Sequence, residues 1–363
     1  MSVIDRALAF CRSRWRPQPT PPARFALALG GGGVMGGMYE VGALAAVEER
    51  LNSAGQFFHV YVGCSAGSVV ASLLANGVRA SEIYRILDQD LADPLNFRRG
   101  AIFSPDSFRR AAGQFGRMMW AFSKNAMTGL RGSIPDMLAR AERDLPPGFF
   151  SLGALEQFIR EAIAARGLSN SFTELPRTLL IPAVDLDRAE RVVFGQGHLR
   201  GVPISEAVAA SSAIPGFFEP YSIGGRDYVD GGVGFSGHAD LAAEAGADVV
   251  FVVHPLVPNL PAEEASPGMR ARGLYSIMEQ TSRIYGQNLL QLGLATLSVR
   301  FPRTTFFLLE PPRENSPLSG LCMGFEGARA ALRFGYTSTR QWLDTQGQPL
   351  LKRLLPGPVA FAL

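Results

Sequence analysis

Apolar and polar positions follow two rhythms along the chain. Phe25-Ala26-Leu27-Ala28-Leu29 is a short continuous apolar run that stops at Gly30 to Gly33, which predicts a buried strand feeding a loop. Val41, Leu44, Val47 and Leu51 then recur three or four residues apart, the period of a helix with one buried face, and Asn52 and Gly55 close it. The same succession repeats. Phe57 to Val62 predicts a second strand, Gly63-Cys64-Ser65-Ala66-Gly67 a turn, and Ser68 to Ala75 a buried helix, followed by an amphipathic helix over 81–92. Further strands are predicted at Thr178–Ile181, Val192–Phe194, Asp248–Val253 and Thr305–Leu309. A short helix is predicted to Ser212 with Ser205 as its N-cap. A long helix is predicted from about Arg272 to Leu297, turning Leu274, Ile277, Met278, Ile284 and Leu289 to the core, and a last one from Glu326 to Leu343. Strands alternating with helices imply an α/β fold of three layers, a mainly parallel sheet sandwiched by helices.

Three stretches depart from this alternation. Residues 1–23 read as an N-terminal lead rich in proline, and 346–363 as a C-terminal tail, around one domain over 24–345. Inside that domain, about 96–147 reads as a helical insertion or cap, where arginines such as Arg98, Arg99, Arg109 and Arg110 accompany Met118, Met119, Trp120 and Phe122. That pairing of cationic and apolar side chains suits contact with anionic headgroups at a membrane surface; a solvated cap packing its apolar residues inward is the alternative.

Composition narrows the class. Apolar residues make up 47% and charged residues 18% of 363, which excludes a disordered chain. A net charge of +3 is too small to argue for nucleic acid. Cys11, Cys64 and Cys322 are scattered, with no CxxC pair or His/Cys cluster, so neither a disulfide framework nor a metal site is expected, and no cofactor is. The early charges Asp5 and Arg6 do not fit a signal peptide, and no stretch is long and apolar enough to span a bilayer. These features point to a reducing, cytoplasmic compartment, with peripheral membrane contact open.

Candidate chemistry sits in three turns. Gly63-Cys64-Ser65-Ala66-Gly67 fits G-x-S-x-G between a strand and a helix, where a serine occupies a sharp turn at a helix N-terminus. Gly30 to Gly37 also joins a strand to a helix, and its glycines let backbone amides approach a phosphate or an oxyanion. Gly31-x-Gly33-x-x-Gly36 matches the dinucleotide fingerprint as well, which would make a cofactor-binding oxidoreductase, but the second strand ends in the serine turn where that fold needs an acidic residue. Asp230-Gly231-Gly232 places an aspartate at a strand end; alone it is an ordinary Asp-Gly turn.

The order of these turns, together with Ala183-Val184-Asp185-Leu186-Asp187, the stretch from Ala209 to Pro220 and Ala245-Gly246-Ala247-Asp248-Val249-Val250, resembles the patatin-like phospholipase family over roughly Arg24 to Val253. The resemblance implies a Ser–Asp dyad without a catalytic histidine. Ser65 would be the nucleophile, Asp230 the general base, and the amides of Gly31, Gly32 and Gly33 the oxyanion hole, with Gly36, Gly63, Gly67, Gly231 and Gly232 as motif glycines. The implied substrate is a phospholipid or another acyl lipid. The family usually carries Arg or Lys just before the last glycine of the loop; Met35 or Gly36 stands there in this chain. A catalytically silent lipid-binding protein and an acyl transferase are the alternatives on the same fold. A triad using His238 or His254 would also follow the Ser–acid–His order; a strand-end role for His254 and a surface-loop role for His238 are the simpler readings.

Overall fold

The computed structural model describes residues 23–51, 57–97, 146–234, 237–260, 268–313, 316–319 and 323–354, with isolated positions between 109 and 123. Residues 1–22 of the lead expected over 1–23, and nearly all of the insertion expected over about 96–147, lie outside the described residues.

The strands are β1 (Phe25–Leu29), β2 (Phe58–Gly63), β3 (Thr178–Asp185), β4 (Glu190–Phe194), β5 (Tyr221–Ile223), β6 (Arg226–Asp230), β7 (Val249–Val253) and β8 (Thr305–Leu309). They form one sheet in the order β5-β6-β3-β2-β1-β7-β8, with β4 on β3. From β3 to β8 all neighbours are parallel; β4, β5 and β6 pair antiparallel at one end. This is the expected mainly parallel sheet with a mixed edge. β3 is eight residues long, and its first part pairs β2 while its second pairs β4 and β6.

Side chains of a strand point alternately to opposite faces, which divides the core in two. Leu27, Leu29, Phe58, Tyr61 and Phe251 belong to the larger core cluster. That face carries α1 (Gly33–Arg50), α2 (Ala66–Ala75), α3 (Ala80–Asp88), α4 (Gly153–Ala165), α5 (Ile204–Ser211), α8 (Ala328–Asp344) and α9 (Gln348–Leu354). Ala26, Ala28, Val60, Val62 and Val252 point the other way and pack with α6 (Ala239–Glu244) and α7 (Leu274–Arg300). With both faces covered, the parallel strands need no polar face, which is why they read as unbroken apolar runs.

Three elements depart from expectation. Ser205 lies inside the first turn of α5, and Pro203 is the N-cap, because proline at that point already sets the extended backbone that precedes a helix. Residues 348–354, within the stretch expected as a tail, form α9 and bury Leu350, Leu351 and Leu354. The long helix α7 buries only Arg283, Gln287, Leu290 and Leu297. Leu274, Ile277, Met278 and Ile284 are exposed instead, Leu274 by 74%. Periodicity revealed an apolar stripe on this helix but not which side of it faces the sheet. No described helix is long and apolar enough to cross a membrane.

α1 deserves its buried position through its glycines and one carboxylate. Glu48 near its end accepts the Ala80 and Ser81 N–H groups and so caps α3. Gly42 lets α8 approach backbone to backbone: a Cβ there would lie 2.0 Å from the Leu332 carbonyl oxygen. Gly42→Ala should therefore lower the free energy of unfolding by about 1–3 kcal/mol, the usual cost of overpacking. Chemical denaturation checks it, and an unchanged midpoint would contradict this account of the α1–α8 contact.

Candidate active site

The register of β1 and β2 brings two turns together. Leu29 lies opposite Gly63, so the glycine loop after β1 and the serine turn after β2 leave the sheet side by side. The Cys64 N–H donates to the Leu29 carbonyl at 3.0 Å and ties them. Gly31 sits directly against the serine turn; a Cβ on it would lie 2.4 Å from the Cys64 carbonyl oxygen and 2.9 Å from the Ser65 Cβ. Its φ of 74° also falls in the left-handed region, so this position requires glycine twice over.

Ser65 has φ 53° and ψ −131°, a conformation that L-residues avoid. The surroundings hold it there. Its N–H donates to Ser211 Oγ at 3.0 Å, Ser211 in turn donates to the Pro182 carbonyl at 2.7 Å, and the Ser65 carbonyl accepts from Ser68 Oγ at 2.6 Å. Gly63 closes β2, Gly67 lies in the first turn of α2, and Gly36 lies in the first turn of α1 over the Gly31 carbonyl.

Asp230 ends β6, opposite Ala183 of β3. Gly231 packs on Pro182 and on Cys64, which carries Asp230 to the serine turn. Asp230 Oδ1 accepts the Gly232 N–H at 2.8 Å and faces Cys64 Sγ at 3.6 Å. Burial pushes its carboxyl above the ordinary aspartate range, and the Ser65 hydroxyl, as a side-chain hydrogen-bond partner, pulls the other way by favouring the ionised form. The serine and the aspartate expected to meet are thus together, both buried.

The three amides expected to act together are not equivalent. The Gly31 N–H donates to Glu40 Oε1 at 2.7 Å in the core, so it is already committed. Among the described residues no acceptor meets the N–H groups of Gly32, Gly33 and Ala66. The Gly31 N–H is thus committed to Glu40, whereas the Ala66 N–H at the start of α2 stands with those of Gly32 and Gly33.

Both histidines of the rival triad have other places. His238 is buried, not on a surface loop. Its Nε2 donates to the Gly231 carbonyl at 3.0 Å, its Nδ1 lies 3.5 Å from Arg191, and Arg191 pairs bidentately with Asp240 at 3.1 and 2.5 Å. This chain holds the Asp-Gly-Gly turn from behind. His254 follows β7 and is buried beside Gly30. Ser211, Glu40 and the His238–Arg191–Asp240 chain were missed from sequence. The signals were present as a polar residue in the apolar helices α5 and α1, but not what each would touch.

In front of Ser65 opens a chamber with about 910 Å³ of empty space, part of it open to solvent, between α1, α2 and α4. Met38, Val41, Leu73, Leu155, Ile159 and Phe218 are among its walls, which are almost wholly apolar.

A family model for patatin-like phospholipases matches residues 27–243. The chain belongs to the patatin-like phospholipase family. An uncharacterized protein of Bacillus subtilis, YqhO, is 26% identical over 214 residues, 56% of this chain and 61% of that protein. Among solved structures, VipD from Legionella pneumophila is similar at 18% identity and a TM-score of 0.37, covering 90% of this chain and 67% of that one. The type III effector protein ExoU is similar at 17% identity and a TM-score of 0.37, covering 93% of this chain and 54% of that one. The chain thus spans about three fifths of YqhO and about half of ExoU. Among the described residues no cluster of His, Cys, Asp and Glu could hold a metal ion.

Burial pushes the rings of His238 and His254 down to about 4, so both are neutral in the fold. A folded pKa below the unfolded one gives stability that is full above the unfolded value and is lost as pH falls towards the folded one. Each ring should therefore contribute a slope of about 1.4 kcal/mol per pH unit between about pH 6.5 and 4. His254→Phe, which cannot titrate, should flatten the pH dependence of unfolding by about that slope relative to wild type. Parallel curves for the two proteins in urea titrations would refute the assignment.

Proposed function

We propose that this protein is a lipid acyl hydrolase, a phospholipase A or lysophospholipase-like serine esterase working through Ser65 and Asp230. One observation carries the reading: a serine held in a strained turn faces a buried carboxyl at the mouth of an apolar chamber.

The chemistry follows from the surroundings. An exposed aspartate is a weak base, and burial strengthens it. Asp230 accepts the Ser65 proton as Oγ attacks the ester carbonyl. The negative charge of the tetrahedral intermediate develops beside the N–H groups of Gly32, Gly33 and Ala66, with the N-termini of α1 and α2 adding their positive ends. Collapse expels the alcohol, which takes the proton from Asp230, and leaves the acyl group on Ser65. Water then attacks with Asp230 again as base, the proton passes from Asp230 to Ser65 Oγ as the acyl–Oγ bond breaks, and the fatty acid leaves. The His238–Arg191–Asp240 chain supports the turn that carries the base and transfers no proton.

The chamber defines the substrate end. An acyl chain is its natural content, because each buried methylene is worth about 0.8 kcal/mol. The headgroup lies outward, toward solvent or a membrane surface.

Ser65→Ala should abolish both labelling by a fluorophosphonate probe and hydrolysis of phospholipid, lysophospholipid and acylglycerol. Asp230→Asn should abolish turnover while the protein keeps its melting temperature. Labelling that survives in the serine variant removes the nucleophile. On soluble p-nitrophenyl esters, kcat/KM should rise about fourfold per added methylene until the chamber fills; a flat response from two to ten carbons would take the acyl chain out of the chamber.

A further inference from the structure

Glu40 is a carboxyl in the middle of α1, fully buried among apolar neighbours. One oxygen, Oε1, accepts the Gly31 N–H at 2.7 Å. The other, Oε2, is buried and meets no hydrogen-bond partner. Burial drives its pKa well above the usual carboxylate value, with the hydrogen bond from the Gly31 N–H pulling the other way. A buried acid with one orphaned oxygen burdens the fold. A leucine would pack there at lower cost, so packing does not account for the residue.

The place it grips does. Three successive glycines, Gly31, Gly32 and Gly33, have φ of 74°, 116° and 62°, and such a run has wide backbone freedom when untethered. Gly30 is held by its N–H on the Val253 carbonyl at 3.0 Å, and Gly31 by Glu40. The next two amides are the ones without an acceptor among the described residues. The Glu40 bond therefore marks the boundary between anchored and available N–H groups. It also acts on the glycine wedged against Cys64 and Ser65.

We propose that Glu40 is a positioning residue for the oxyanion loop, fixing Gly31 against the serine turn so that the Gly32 and Gly33 N–H groups are presented to the oxyanion formed on Ser65. It supports from beneath a loop that lacks a basic residue at Met35 and Gly36. The inference rests on the serine-hydrolase reading above. The two fail differently: if that reading is wrong, the wild-type protein itself shows no Ser65-dependent turnover, whereas if only this inference is wrong, wild type and Glu40 variants turn over alike.

The test compares Glu40→Gln, which keeps an accepting oxygen, with Glu40→Leu, which removes it at similar volume. Hydrolysis of a soluble p-nitrophenyl ester is measured per active site, titrated with a fluorophosphonate, alongside the melting temperature. Loss or displacement of oxyanion donors typically costs about 100-fold or more in rate. Glu40→Leu should lower kcat by about 10- to 100-fold, with KM within about twofold and a melting temperature at or above wild type. Glu40→Gln should restore kcat to within about threefold of wild type. If the leucine variant does not fold, Glu40→Asp, shorter by one methylene and unable to reach Gly31, should show the same loss of kcat. Wild-type kcat per titrated site in the leucine or aspartate variant overturns the inference. So does a glutamine variant as slow as leucine, or a loss of activity explained wholly by fewer intact sites.

Discussion

Two parallel strands that end level with one another are the constraint on which this molecule depends. Because Leu29 and Gly63 are paired, the loops that follow them must share one volume. That volume is crowded enough that the first loop is built of residues without side chains and the second bends through a backbone conformation that costs energy. Hydrogen bonds from neighbouring elements offset that cost. Ser211 on α5 links the bend to β3, and β3 in turn aligns β6, which ends in Asp230. The placement of Ser65, Asp230 and the amides of the glycine loop thus descends from a single strand register.

Burial does the electrostatic work. There is no metal-ligating cluster among the described residues, and the ionisable groups nearest the serine are all desolvated. Desolvation acts in opposite directions on acids and on histidines. It holds Asp230 readier to take a proton, raises the proton affinity of Glu40, and leaves His238 able to donate from one ring nitrogen while its other accepts. The N–H groups at the starts of α1 and α2 lie in this desolvated volume, where a nearby charge is felt with little screening.

What could be read from sequence was what lies within a few consecutive residues. The apolar runs of β1, β2 and β7 are unbroken because both of their faces are covered, and the serine turn shows itself because five neighbouring residues shape it. Properties fixed by distant partners did not show. His238 looks like a loop histidine until Arg191 and Gly231 are set around it, and α7 has an apolar stripe whose direction depends on the sheet beneath. Glu40 sits in an apolar helix where a charged residue breaks the pattern, yet its partner, nine positions earlier, becomes evident only once the loop folds back. Gly31 illustrates the same limit: its motif position was legible, but the fate of its N–H was not.

The family likeness stops at residue 243, six residues before β7 begins. Yet β7 pairs with β1 along its whole length, and α8, later still, presses its backbone onto α1 at Gly42. The inner strand and the helix that carry the glycine loop are therefore each flanked by chain lying outside the shared stretch. Ancestry and mechanical support have different borders in this molecule: a fragment cut where the inherited pattern ends would keep Ser65 and Asp230 and lose the walls that hold the glycine loop beside them.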